Sequence, residues 1–364
     1  MELKKKHTLL KFIGMAVCVI VLVALLVKLC NYLLLDDTSR YTRLTMHEFY
    51  EAADEGDNID VIFLGSSHVI HACDPELFTE LTGKTSFNLG SSAQNYDTSY
   101  YLLREAVKYN DIETVYLDIH YKFLFVGRED HDLVQSNIIT DYMRFSLNKL
   151  EFILSTSDET DYANRFLPFR RNWQSLGDLS YIKELLQKKS TDEYKEYQYI
   201  RDEDEYYAGR GFIYTETTLD ASEITWWDNY TDLSEDKVEG ETYSLDYVAG
   251  IAQLCKDEGI ELVFVTIPSF DQYLEEVGPY DPAHEYMQEL ADSLGVVYLD
   301  FNQCNDYYFD PGEEWFMDVD HLNGAGAGAF TELLAKLDIL MDEAGGDDGQ
   351  IGALIDEYFD ACYD

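Results

Sequence analysis

The chain has 364 residues, 46% of them hydrophobic, enough for one large domain or two modest ones. Lys and Arg number 26 against 71 Asp and Glu, a formal net charge of −45. So acidic a molecule repels phosphate backbones, which argues against nucleic acid as a partner and leaves solubility as the plainest use of the charge.

Lys4, Lys5, Lys6, His7 and Lys11 precede an uncharged apolar run from Phe12 to Val27, and hydrophobicity resumes beyond Lys28 to Leu35. Because Lys11 and Lys28 can snorkel, the stretch from about Leu9 to Leu35 is long enough to cross a bilayer of about 30 Å. The basic flank should stay cytoplasmic, so everything after residue 35 is expected outside the cytoplasm. No small-x-small cleavage site follows, and Lys28 spoils a lipobox at Cys30. An uncleaved anchor over residues 1–35 is therefore expected. Residues 1–30 carry +4, leaving −49 beyond them. Residues 36–57 read as a polar stalk containing a short helical segment, Met46–Glu55.

Six cysteines are present: Cys18 and Cys30 in the anchor, and Cys73, Cys255, Cys304 and Cys362 beyond it. Their spacing contains no CxxC and no zinc pattern; one or two disulfides remain open.

The pattern then becomes strand, turn and helix. Ile59–Leu64, Ser86–Leu89, Thr114–Ile119, Glu261–Ile267 and Val296–Phe301 read as buried strands. Asp74–Leu81, Tyr96–Tyr109, Tyr243–Asp257, Ala283–Ser293 and Ala325–Glu343 read as helices. Apolar strands alternating with helices predict an α/β fold, three-layer α/β/α, with a mostly parallel five-stranded sheet over residues 58–344. Ligands in such sheets bind beyond the carboxyl ends of the strands. The stretch at about 121–242 is an insertion, and residues 345–364 form an acidic, Gly-rich tail expected to be loose.

The insertion is rich in aromatic residues, among them Tyr194, Tyr197, Tyr206, Tyr214, Trp226 and Trp227, with Arg165, Arg170 and Arg171 beside Trp173. One reading is a lid that stacks on sugar rings or grips an anionic polymer. The other, favoured because aromatics are commonest in cores, is a helical cap whose arginines pair with local acids. The acidic run Asp202–Glu205 lacks the Gly and the bidentate Glu of a calcium loop and reads as a solvated face.

Gly65-Ser66-Ser67-His68 directly follows the first strand, where a turn into a helix exposes a hydroxyl beside free N–H groups. Asp318-Val319-Asp320-His321 lies between the last strand and the last helix. A serine needs a base to become nucleophilic, and the base needs an orienting carboxylate, so Ser67, His321 and Asp318 are the candidate triad. Asp320 is an alternative orienter, although its spacing points it away from the ring. His68 and His71 flank the turn; His68, Thr266 and Ser269 are candidate substrate contacts.

In this order and these positions, Gly65-Ser66-Ser67, Gly90 after the second strand, and Asp318-x-x-His321 followed by Leu-Asn-Gly-Ala-Gly-Ala resemble the SGNH/GDSL hydrolase superfamily. The resemblance covers about residues 58–120 and 245–340, with Ser66 in place of the usual Asp. It implies a flavodoxin-like fold, Ser67 as nucleophile, His321 as base, Asp318 as its orienter, and the N–H groups of Ser67 and Gly90 as oxyanion donors. The family's third block, Gly-x-Asn-Asp, is replaced by Leu117-Asp118-Ile119-His120-Tyr121. An ionised Asp118 cannot donate; Asn95, His120 or Tyr121 could take the vacant place, or the two N–H groups could act alone.

What this resemblance implies is an ester hydrolase or O-acyltransferase of the cell envelope, similar to anchored envelope acyl-transfer proteins. Its partners would be a cell-envelope polysaccharide or teichoic-acid-like polymer and a membrane-bound O-acyltransferase. No metal or organic cofactor is expected. The alternative is a catalytically degenerate module that binds polysaccharide or the acyltransferase.

Overall fold

The computed structural model describes residues 2–38, 40–125, 127–128, 133–198, 200–201, 204–223, 242–277 and 280–359. Two compact units are formed: Met1–Arg40 with Ser157–Gln198, and Tyr41–Thr156 with Tyr199–Asp364.

The first unit is built on helix α1 (Glu2–Leu34), whose stretch Leu9–Leu34 is long and apolar enough to cross a membrane. Side chains along most of that stretch are exposed, whereas Leu34 and Leu35 are buried. The last turn of α1 leaves carbonyls without helical partners, and the insertion supplies donors for them. Asn172 Nδ2 and Tyr181 Oη donate to the Leu34 carbonyl at 2.8 and 3.0 Å, and Lys189 Nζ donates to Leu35 at 2.5 Å and Tyr32 at 3.2 Å. Lys189 is only 1% exposed and also pairs with Asp37 at 3.0 Å. These groups come from a 3₁₀ segment, Pro168–Gly177, and a helix, Leu179–Lys189, that Asp178 caps through the N–H groups of Ser180 and Tyr181. The insertion expected at 121–242 is thus divided: residues 157–198 belong with α1, while 121–156 and the described residues from 200 onward belong with the second unit. Trp226 and Trp227 lie outside the described residues.

The second unit begins with helix α2 (Tyr41–Glu55). A stalk was expected here, but Met46, Phe49 and Tyr50 are buried in the core, because their i, i+3, i+4 spacing gives the helix one apolar face. Strands β1 (Val61–Leu64), β2 (Ser86–Asn88) and β3 (Thr114–Asp118) follow. After the hairpin β4 (Glu205–Gly209) and β5 (Phe212–Thr215) come β6 (Glu261–Thr266) and β7 (Val297–Asp300). The five predicted strands form one parallel sheet in the order β2-β1-β3-β6-β7.

Alternation within the strands assigns their side chains to two cores. Ile62, Leu64, Val115, Leu117 and Phe264 pack with α2 and the helices Tyr96–Ala106, Tyr243–Glu258 and Asp281–Leu294. Val61, Phe63, Tyr116, Val263 and Leu299 pack with the helices Pro75–Thr82 and Gly324–Ala344. Both faces are covered, which is why the strands read as continuous apolar runs. The chain passes from β1 to β2 on one side and from β3 to β6 on the other, so the crevice between the carboxyl ends of β1 and β3 is the topological switch point.

The tail departs from its expected looseness. Asp348–Phe359 is a helix whose Leu354, Ile355, Tyr358 and Phe359 pack on the second core, with the Tyr358 carbonyl accepting from Asn305 N at 2.8 Å. Cys18, Cys30, Cys73, Cys255 and Cys304 are free thiols, so no disulfide occurs among the described residues.

Candidate active site

The crevice is framed by the turn after β1. Helix α3 (Ser67–Ala72) starts immediately, with Ser66 as its N-cap, the Ser66 side chain accepting from His68 N. Gly65 is required by close approach: a Cβ there would lie 2.5 Å from Asp118 Cβ and 2.4 Å from Val69 Cγ2. The chain therefore turns tightly over the end of β3 and presents Ser67 in the first turn of α3, where backbone N–H groups lack helical partners.

Ser67 Oγ lies 2.7 Å from His321 Nε2, although 254 positions separate the two residues. His321 Nδ1 is 2.9 and 3.0 Å from the two carboxylate oxygens of Asp318, and Asp318 Oδ1 also accepts the N–H groups of Asp320 and His321. The expected Ser67–His321–Asp318 constellation is brought together. The stretch from Phe316 to Leu322 closes on itself through a bridge between these two residues, with Met317 N donating to the His321 carbonyl, so the imidazole is held by its own loop.

Asp320 differs from its expected orientation. Its Oδ1 is 3.1 Å from His321 Nδ1, and its Oδ2 accepts from Lys122 Nζ at 2.5 Å and lies 3.7 Å from His68 Nε2. The turn that presents Asp318 places Asp320 beneath the same ring. Burial lowers the basicity of His321, but hydrogen bonds and charge from Asp318 and Asp320 outweigh it and lift its pKa to about 9. Asp320 is held well below the usual carboxylate range: burial opposes its charge, but His321 and His68 more than compensate. Lys122 had no signal in the sequence, since its role depends on a contact spanning 198 residues.

Three imidazoles stack at this point. His68 lies between His120 and His321, with ring centroids 4.3 and 4.6 Å away. Burial and the neighbouring His321 charge push the His68 pKa down; burial and His68 do the same to His120. His71, edge-on to His321 at 5.9 Å, falls to about 4 for the reasons that apply to His68. Both turn histidines are buried.

The oxyanion candidates separate. The Gly90 N–H donates to Asn88 Oδ1 at 3.0 Å, so it is engaged rather than free, and a Cβ on Gly90 would sit 2.8 Å from Ile70 Cγ2. Close packing of β2 on α3 accounts for this glycine, and Asn88 completes the clamp by donating to the carbonyls of Val69 and Cys73 at 2.7 and 3.0 Å. Asn95 is the N-cap residue of Tyr96–Ala106 but makes no side-chain cap bond, which leaves its amide available. His120 Nδ1 accepts from Lys122 N at 3.2 Å, which places its ring proton on Nε2, a buried donor without a partner among the described residues. Asp118 lies under the turn, its Oδ2 3.5 Å from Ser66 Oγ, and burial raises its pKa to about 7 against hydrogen bonds from the backbone of Ser66 and Ile267.

Thr266 and Ser269 do not line a surface. The Thr266 hydroxyl donates to Ile119 O at 2.7 Å and meets Tyr298 Oη at 2.8 Å; Ser269 is buried with its N–H on Asn302 Oδ1. Thr266 ends β6 and Ser269 lies in the loop that follows it, and both are buried.

The β4–β5 hairpin, invisible as a functional element in the sequence, holds both halves of the constellation. Arg210 O accepts from Asn88 N at 2.9 Å, the Ile213 carbonyl meets His71 Nδ1 at 3.2 Å, and Thr217 O accepts from Asn323 Nδ2 at 3.1 Å. One His/Asp cluster among the described residues, His68, Asp320 and His321, has metal-ligand spacing. Lys122 and the His321 hydrogen bonds engage Asp320 Oδ2 and both His321 ring nitrogens, whereas His68 Nε2 has no hydrogen-bond partner among the described residues. Comparison with protein-family models and with curated proteins gives no match to this sequence.

Proposed function

We propose that this chain is a serine-dependent esterase or O-acyltransferase of SGNH/GDSL type. It is anchored by α1 and acts on acyl esters of an extracytoplasmic glycan or glycopolymer. The observation that carries the reading is the unbroken chain Ser67 Oγ, His321 Nε2, His321 Nδ1, Asp318, with contacts of 2.7 and 2.9 Å at the switch-point crevice. In support of it, the strand order counted within the parallel sheet alone is similar to the 2-1-3-4-5 order of flavodoxin-like folds, and helices pack against both sheet faces.

In this mechanism neutral His321 takes the Ser67 proton as Oγ attacks the ester carbonyl, and returns it to the leaving alkoxide oxygen. The acyl group then passes from Ser67 to water or to a second hydroxyl, with His321 acting once more as base. Asp318 fixes the ring and stabilises the imidazolium. The Ser67 N–H is the first oxyanion donor, and Asn95 and His120 are the neutral donors nearest in chemistry to the family's missing Asn.

Labelling the full-length protein with a fluorophosphonate tests the chemistry: Ser67 should be modified, and Ser67→Ala should abolish the label. A binding module without chemistry is the second reading, drawn from the engaged Gly90 N–H and from a His321 protonated at neutral pH. Absence of labelling at every pH up to the alkaline side of the His321 transition would favour it. Topology is tested separately: cysteines introduced beyond residue 40 should react with impermeant thiol reagents on intact cells.

A further inference from the structure

The segment that caps α1 carries an unusual surface. Over residues 162–191 there are six basic and two acidic side chains, in a chain whose net charge is −45. The same stretch exposes Trp173 (56%), Leu176 (47%) and Leu179 (80%). Isolated exposed apolar residues need no explanation, but a tryptophan and two leucines within seven positions, beside Arg170 and Arg171, form a patch.

Its place is fixed by α1. The Phe169 N–H donates to Asn31 Oδ1 at 2.9 Å and Asn172 Nδ2 donates to the Leu34 carbonyl at 2.8 Å, so the patch is seated on the last turn of that helix. The 26-residue stretch Leu9–Leu34 rises about 39 Å, against about 30 Å of hydrocarbon. The final turn therefore emerges at headgroup level, and what packs on it lies at the interface. Tryptophan prefers that depth, and basic side chains there are drawn to anionic lipid.

We infer that Pro168–Gly177 and the start of Leu179–Lys189 dock into the outer leaflet of the membrane that α1 spans, with Trp173, Leu176 and Leu179 at acyl-boundary depth and Arg170 and Lys183 on anionic lipid phosphates. This rests on α1 being a membrane anchor. The docked segment makes the anchor a helix with a lateral foot, which limits rotation and tilt of α1 in a way a lone span does not.

The test uses the full chain in nanodiscs containing phosphatidylglycerol, with lipids brominated either near the headgroup or near the chain end. The emission difference between wild type and Trp173→Phe isolates Trp173 from the other tryptophans. A Leu22→Trp substitution in the Trp173→Phe background reports the anchor. The expected result is stronger quenching of Trp173 by shallow than by deep bromolipid, cut about threefold by Arg170→Glu with Lys183→Glu. The Leu22→Trp emission should be quenched most by the deep lipid. Quenching at residue 22 without quenching at Trp173 would overturn the inference and leave the anchor standing. Absence of both would overturn the anchor as well. Trp173 quenching that ignores charge reversal, or persists in zwitterionic lipid alone, would overturn the anionic-lipid contact.

Discussion

Asp320 Oδ1 lies 3.1 Å from His321 Nδ1, the nitrogen that Asp318 already binds at 2.9 Å. Two carboxylates on one side of an imidazole stabilise its cation, and the ring's pKa rises to about 9, with burial the opposing influence. In the proposed mechanism the general base must be neutral to accept a proton, so a raised His321 pKa requires the ring to lose one before Ser67 is activated.

The pH dependence follows. For hydrolysis of a small aryl ester, kcat/KM should rise about tenfold per pH unit from neutrality and level off near pH 9. Asp320→Asn removes one stabilising charge and should move this limb to lower pH. Lys122→Met removes a cation that faces Asp320 and should move it to higher pH. Opposite displacements in the two variants, with unchanged circular dichroism, check the assignment; a shared direction would refute it.

The two carboxylates also predict non-additive losses. With Asp320 still at the ring, Asp318→Asn should cost about tenfold in kcat, whereas Asp318→Asn with Asp320→Asn should approach about 10⁴-fold, the loss expected of an unoriented histidine. Acylation kinetics with a fluorophosphonate measure both without needing the natural acceptor.

Asp118 links stability to pH. Burial lifts its pKa to about 7 from an ordinary 3.8. A carboxyl group whose folded pKa is raised contributes its full stability below about pH 4 and loses it as pH climbs through 7. Asp118→Asn cannot ionise, so it should be more stable than wild type at pH 8 by about 1–3 kcal/mol, the gap closing toward pH 4. Urea melts across that range decide the matter.

The terminal helix should be structural. Tyr358 is buried, stacks on Tyr308 at 4.1 Å, and its carbonyl holds Asn305. Tyr358→Ala should cost about 3 kcal/mol, by analogy with large-to-small aromatic truncations, seen as a lower urea midpoint.

What was legible in the sequence was what periodicity and local turns encode. All five strands of the sheet lie where apolar runs placed them, because β1, β3 and β6 are buried on both faces and need uninterrupted hydrophobicity. Ser67, Asp318 and His321 stood out through the order of two individually weak motifs and its resemblance to a known family, and the structure adds their contacts of 2.7 and 2.9 Å. What was hidden depends on long-range packing. The place of Asn88 between Val69 and Cys73, the Lys122–Asp320 pair and the hairpin on His71 involve contacts no pattern announces. Asp348–Phe359 was obscured by Gly346, Asp347 and Asp348, whose composition outweighed the apolar spacing that follows.

Lys189 sets an order of events during synthesis. Its ammonium caps the carbonyls of Tyr32 and Leu35, yet the ribosome makes β1, β2 and β3 between these partners. The carbonyls of Tyr32 and Leu35 therefore wait through more than 150 residues of elongation for that ammonium. A nascent chain stalled before residue 189 holds an α1 whose last turn lacks this cap. Arrest peptides placed so that residue 189 is either still inside the ribosomal exit tunnel or clear of it should divide chains with a looser last turn from those in which it is locked.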